Sequence, residues 1–198
     1  MDAKPTVVGI TGTIGSGKSL IGDLLRKRSY KVIDTDEVVH DLFGSDAGLQ
    51  RAIADRFGRE VVTPTGTIDR NKLGDIVFND AEARRDLEAI VHPAVVQRCD
   101  QLVHEHSKDR LVFFLVPLLF EAGLADRYDQ IWTVITDDAV LKQRLMQRTG
   151  LSSAEVDKRI AAQMPQKEKA ARSHKIIDNT GTRDDTERQV ADLVKSLL

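Results

Sequence analysis

Gly12, Gly17, Lys18 and Ser19 stand at the spacing G-x-x-x-x-G-K-[ST], and that spacing is built to hold phosphate. Glycines let the backbone turn without a Cβ clash, so successive amide N–H groups converge on one anion. The helix that follows aims its positive end at the same place. The amides of Gly15, Ser16, Gly17, Lys18, Ser19 and Leu20 are the expected cradle. Lys18 adds a mobile cation for the β- and γ-phosphates, and the Ser19 hydroxyl is the expected Mg²⁺ ligand. The context fits: an apolar stretch, Thr6–Thr11, precedes the loop, and Leu20, Ile21, Leu24 and Leu25 recur at helical spacing behind it.

Phosphoryl transfer needs a cradle, a metal, cations for the charge that develops, and a group that orients the nucleophile. Arg144 and Arg148 lie four apart on one helix face and could supply the cations. Asp36 is the candidate to orient and deprotonate an acceptor hydroxyl. The bland alternative is that Asp34 or Asp36 caps the next helix. The apolar strand Leu111–Val116 does not end in an aspartate, so Ser19, with water or Asp36, is left to carry Mg²⁺, with Glu121 as an outer alternative. His104 and His106, two apart, point to different helix faces, and His40 and His174 have no obvious partners. His92, beside Pro93, is either an acceptor-site residue or a helix-end packing residue.

The elements that must position these groups follow from periodicity. A strand at Thr6–Thr11, a helix at Lys18–Ser29 and a strand at Lys31–Ile33 form a βαβ unit. It places Asp34 and Asp36 at a strand's carboxyl end, where functional groups of such sheets collect. Helical patterns then run on without a long strand, with Leu49, Ile53 and Phe57 at helical spacing and a turn at Thr63-Pro64-Thr65-Gly66. Helices are expected at Asp69–Asn79, at Ala81–Val91, and from Pro93 to about Ser107. Strands return at Leu111–Val116, Gln130–Thr136 and Lys175–Asp178. Between the last two strands lies an arginine-bearing helical pair followed by a charged segment, Lys167 to Arg172. The expected fold class is α/β: a five-stranded, mostly parallel sheet with helices on both faces. Residues 1–37, 108–140 and 174–198 make the expected nucleotide-binding core. Residues 38–107 make a helical acceptor-binding insertion, and 141–173 a lid that shuts out water.

Bulk properties narrow the class. The chain has 198 residues, 41% of them apolar, enough for one domain with an inserted subdomain. A net charge of −2 carries no basic excess of the kind nucleic acid demands. The single cysteine, Cys99, suits a reducing cytosol and reads as a helix packing residue. No secretory pattern opens the chain, and the longest apolar run, Leu111 to Phe120, is broken by Pro117 and about half the length of a membrane span. The expectation is therefore a cytoplasmic protein with neither a membrane nor a nucleic-acid partner, acting as a monomer or weak homo-oligomer.

In order along the chain, Gly9-Ile10-Thr11-Gly12 with Ile14-Gly15-Ser16-Gly17-Lys18-Ser19, Val32-Ile33-Asp34-Thr35-Asp36 and His92-Pro93 are followed by Val116-Pro117-Leu118-Leu119-Phe120-Glu121. Gln143-Arg144-Leu145 with Arg148, Arg159-Ile160 with Gln163-Met164-Pro165, and Ile177-Asp178-Asn179-Thr180-Gly181 complete the series. This series resembles the dephospho-coenzyme A kinase family over nearly the whole chain. The resemblance implies a P-loop kinase fold and ATP-dependent phosphorylation of the ribose 3′-hydroxyl of dephospho-coenzyme A. It implies Asp36 as the base, Arg148 as a lid arginine near the phosphates, and Asn179 in the loop near the adenine of ATP. Two positions depart from the family pattern: Thr13 stands where glycine is common, and Leu20 where threonine is common. Rival readings are a nucleoside or nucleotide kinase, or a nucleotide-dependent switch; no N-K-x-D guanine motif supports the latter.

Overall fold

The structure is a computed structural model describing residues 4–78 and 80–198. It divides into two compact units: the described residues up to Asp34 together with His106–Leu198, and Thr35–Glu105. The helices are, in chain order, α1 (Lys18–Lys27), α2 (Thr35–Ser45), α3 (Ala47–Phe57), α4 (Arg70–Phe78), α5 (Ala81–Glu105), α6 (Asp138–Thr149), α7 (Ser153–Ala161), α8 (Gln166–Ala171) and α9 (Arg183–Lys195).

Five strands of the first unit form one sheet: β1 (Thr6–Thr11), β2 (Lys31–Asp34), β3 (Leu111–Leu115), β4 (Gln130–Ile135) and β5 (Lys175–Asp178). Their order is β2-β3-β1-β4-β5, and every neighbouring pair is parallel. Alternation along each strand sends side chains to both faces. On one face Val8, Ile10, Phe113 and Trp132 meet Leu24 and Leu25 of α1 and Val190 and Val194 of α9. The Phe113 and Trp132 rings lie 5.6 Å apart there. On the other face the Phe114 ring lies 5.9 Å from Tyr128, and the Thr133 hydroxyl reaches the Lys169 carbonyl of α8 at 3.4 Å. A strand apolar on both sides is what a sheet covered on both faces requires, and β3 is buried along its whole length.

Boundaries shift where local chemistry decides them. α1 stops at Lys27 rather than Ser29, because Ser29 adopts a left-handed φ of 63° and breaks the ladder. β2 runs to Asp34, and α2 starts at the next residue, with Asp36 and Glu37 in its first turn. The expected helix at Asp69–Asn79 is α4; Asp69 caps it through Oδ1, which accepts from the Asn71 and Lys72 amides at 3.1 and 3.2 Å, while Asn79 lies outside the described residues. The turn at Thr63–Gly66 is closed by a Gly66 N–H bond to the Thr63 carbonyl at 2.9 Å and flanked by a Val62–Ile68 bridge.

The largest correction concerns Pro93. The expected break between two helices is absent, and α5 runs unbroken through Pro93 for 25 residues. A proline inside a helix forfeits one hydrogen bond and crowds the preceding turn, at about 3 kcal/mol. Here α5 packs against α2, α3 and α4, burying Ala83 and Val91, while Pro93 itself is exposed.

Candidate active site

The phosphate loop spans the turn between β1 and α1. Its neighbours in the sheet explain the position: β1 and β4 are adjacent, yet the chain leaves β1 toward β2 and leaves β4 toward β5. Connections that diverge in this way open a crevice at the carboxyl ends of the strands. Gly17 caps α1 in a left-handed conformation, φ 103°, so the amides of Lys18, Ser19 and Leu20 lie in the helix's first turn. The Lys18 ammonium donates to the Gly12 carbonyl at 2.6 Å and the Thr13 carbonyl at 3.3 Å, and so lies over the loop. Ser19 is exposed, and the Leu20 side chain packs against the main core. Thr13 is not among the positive-φ residues, so its Cβ carries no left-handed penalty. Two loop hydroxyls, Thr13 Oγ1 and Ser16 Oγ, are buried without a hydrogen-bond partner among the described residues. Orphaned groups of this kind suit an oxyanion or ordered water.

The loop is bolted to the sheet through one carbonyl. Ser16 O accepts from Asn179 Nδ2 at 2.8 Å and from Thr136 Oγ1 at 3.0 Å. Asn179 is buried, and its Oδ1 accepts from the Thr186 hydroxyl of α9 at 3.0 Å. Its own carbonyl accepts from Arg144 Nη1 at 3.0 Å. Asn179 is thus committed on both faces of its amide to holding the loop after β5 against the phosphate loop. Arg144 is half-buried and tied to that same loop; Arg148, one turn on, is exposed near the end of α6.

The sheet register relates β2 to the cradle. Asp34 pairs with Leu115, and Leu115 pairs with Ile10, so Asp34 shares a row with the residue just before the end of β1. Two strand spacings put those backbones about 10 Å apart. Asp36 follows two residues further along the chain, exposed and inside the first turn of α2. It is a helical residue rather than the cap, and a carboxylate there is favoured by the helix dipole.

The α6–α7 pair packs through Leu141, Leu145 and Val156, with Ile14 of the phosphate loop added to the cluster. Asp137 caps α6, and a Ser152–Glu155 capping box opens α7. Beyond α7, Gln163 Oε1 accepts the Ile14 amide at 2.8 Å. The charged segment after Pro165 forms α8, and Lys169 within it is fully buried. Its ammonium donates to the Pro117 carbonyl at 3.0 Å and meets Glu121 Oε1 at 2.8 Å. Glu121 also accepts the Met164 amide at 2.9 Å, so it joins Lys169 to the connection between α7 and α8. Burial works against the charge of Glu121, but the Lys169 and Met164 hydrogen bonds outweigh it and hold the carboxyl below the usual glutamate range. A carboxyl depressed in the folded state adds stability above its unfolded value, and that stability is lost as pH falls through the folded value. The urea midpoint of wild type should therefore exceed that of Glu121→Gln at pH 7, and the gap should narrow as the pH falls below the usual glutamate range. A gap unchanged in acid would remove the charged pair as its source.

The histidines fall differently from expectation. His40 Nδ1 lies 2.9 Å from Arg70 Nη1, and His174 Nδ1 accepts the Ile131 amide at 3.0 Å, so both have partners. His92 is exposed in the interior of α5, not at a helix end. Among the described residues no three His, Cys, Asp or Glu side chains gather as a metal cluster. Sequence reasoning missed the structural weight of Thr136, Thr186 and Lys169. Nothing distinguishes Lys169 from Lys167 in the charged run until α8 is laid against the sheet.

With this geometry in place, similarity to known proteins identifies the family. The family model described as dephospho-CoA kinase matches residues 6–185. A dephospho-CoA kinase of Geobacter metallireducens is 44% identical over 194 residues, covering 97% of this chain and 96% of that protein. A crystal structure from Thermus thermophilus superposes with a TM-score of 0.82 at 36% identity, covering 99% of this chain and 100% of that one. The dephospho-CoA kinase of Campylobacter jejuni gives a TM-score of 0.74 at 25% identity, covering 96% of each chain. A model matched along most of the sequence, and a relative this close over nearly its full length, mean that the chain belongs to the dephospho-CoA kinase family.

Proposed function

We propose that this chain transfers the γ-phosphoryl group of ATP to the ribose 3′-hydroxyl of dephospho-coenzyme A, yielding coenzyme A and ADP. The observation that carries the reading is the amide cradle at the carboxyl end of β1, on a chain that belongs to this kinase family.

The amides of Gly15 and of Gly17 to Leu20, with the α1 dipole, hold the β- and γ-phosphates; the Ser16 amide, expected in the same cradle, instead donates to the Thr13 carbonyl at 3.0 Å. Lys18, already lying over the loop, neutralises charge that spreads onto the equatorial oxygens. Asp36 accepts the proton of the attacking hydroxyl as its oxygen bonds to the γ-phosphorus; the bond to the bridging oxygen breaks, and ADP leaves. Arg148 adds a cation from the lid, residues 141–173, and Arg144 acts through the Asn179 loop beside the adenine. The helical residues 38–107 bind the acceptor, with His92 among its contacts.

Mg²⁺ binds with few protein ligands when phosphates supply the rest, so the exposed Ser19 hydroxyl in the first turn of α1 is a sufficient donor. Bound there, the ion would neutralise the β- and γ-oxygens. No described helix is long and apolar enough to cross a membrane.

The test offers ATP and Mg²⁺ with dephospho-coenzyme A, AMP, nucleosides or water in parallel. ADP release that depends on dephospho-coenzyme A is the expected result. Equal release with water, or preference for AMP, would overturn the reading.

A further inference from the structure

Residues from three separate stretches of the first unit form one hydrogen-bonded chain that ends on the phosphate loop. It begins at the Pro117 carbonyl, just beyond β3. That carbonyl accepts from Thr11 Oγ1 at 3.3 Å and from Lys169 Nζ at 3.0 Å. Lys169 pairs with Glu121, and Glu121 takes the Met164 amide at 2.9 Å. The residue before Met164 is Gln163, whose Oε1 accepts the Ile14 amide at 2.8 Å. Arg172, one turn beyond Lys169, stacks on Phe120 at 4.6 Å and closes the same corner.

Two features argue that this chain does more than pack. A lysine with no exposed surface is tolerated only where its charge is met, and here one ammonium serves both a main-chain carbonyl and a carboxylate. Gln163 and Met164 lie in the connection between α7 and α8, outside any helix. A two-residue span held at Gln163 by the loop and at Met164 by Glu121 has little freedom left. Its position is set by the ion pair behind it.

We infer that Gln163 is a positioning residue for nucleotide binding, holding the tip of the phosphate loop at Ile14, and that the Glu121–Lys169 pair holds Gln163 there. Ile14 precedes the cradle amides directly, so its fixed N–H sets where Gly15 points its own, while the Ser16 N–H is turned back onto the Thr13 carbonyl at 3.0 Å. Glu121 acts at a distance: it touches neither Ile14 nor the cradle, yet its loss frees Met164 and with it the carboxamide that the loop depends on. This rests on the phosphate loop taking ATP as proposed above.

The experiment compares Gln163→Ala, Glu121→Ala and the double variant, with KM measured separately for ATP and dephospho-coenzyme A and amide hydrogen exchange followed at Ile14. Gln163→Ala should raise KM for ATP about tenfold, leave KM for the acceptor unmoved and speed exchange at Ile14 about tenfold. Glu121→Ala should do the same, and the double variant should be no worse than the stronger single, because the two residues act in series. Glu121→Gln keeps an oxygen for the Met164 amide and should recover most of the Ile14 protection that Glu121→Ala loses; if Glu121→Ala does not fold, Gln163→Ala carries the test. Ile14 still protected in Glu121→Ala, additive effects in the double, or an unmoved KM for ATP in Gln163→Ala would each overturn the inference. Wild type inactive on dephospho-coenzyme A would defeat the functional reading instead, while exchange at Ile14 would still judge this one.

Discussion

Asp36→Asn should lower kcat about a thousandfold while leaving the dissociation constant for ATP within about twofold. Asparagine matches aspartate in shape but cannot accept the hydroxyl proton, so the loss falls on the chemical step. Asp36 sits in the first turn of α2, two residues beyond the strand end that shares a sheet row with β1. The same turn offers Glu37, also exposed, as an internal comparison: Glu37→Gln carries an equal change of charge next door and should leave kcat within about twofold. Single-turnover kinetics with ATP and dephospho-coenzyme A distinguish the cases. Equal turnover by wild type and Asp36→Asn would take the base role from Asp36.

Gly17→Ala should both destabilise the fold and cost ATP affinity. The residue holds φ 103°, and an added Cβ would sit 2.0 Å from Asn179 Nδ2. Left-handed backbone costs a side-chain-bearing residue about 1–2 kcal/mol. Displacing Asn179 also breaks its bonds to Ser16 O and Thr186 Oγ1, at about 1 kcal/mol each. Together these predict a loss of about 3–4 kcal/mol, or roughly 10 °C in Tm for a chain of this size. Gly66→Ala separates backbone strain from collision. Gly66 also has positive φ, 88°, but nothing lies within 4 Å of its added Cβ, so only the first penalty applies. Calorimetry of the two variants, with ATP titration of each, should therefore show a Tm drop for Gly17→Ala at least twice that for Gly66→Ala, and a fall in ATP affinity only for Gly17→Ala. Equal Tm losses would mean that Asn179 gives way without consequence.

The parts legible in the sequence are those decided by neighbours along the chain. The spacing of Gly12, Gly17, Lys18 and Ser19 carries its own geometry, because a cradle of consecutive amides is local. β3 announced itself as an unbroken apolar run for the same reason. Tertiary structure decided what depends on residues far apart. The order β2-β3-β1-β4-β5 sets which loops share the crevice, and no local pattern encodes it. Pro93 reads as a helix start, yet α5, packed against three other helices, runs through it. Asn179 and Lys169 are polar residues in polar stretches, yet both are buried, since a polar group enters the core only where partners 163 and 48 residues away in sequence satisfy it. The chemistry could be read from adjacency, whereas the means of holding it still came from contacts that only folding brings together.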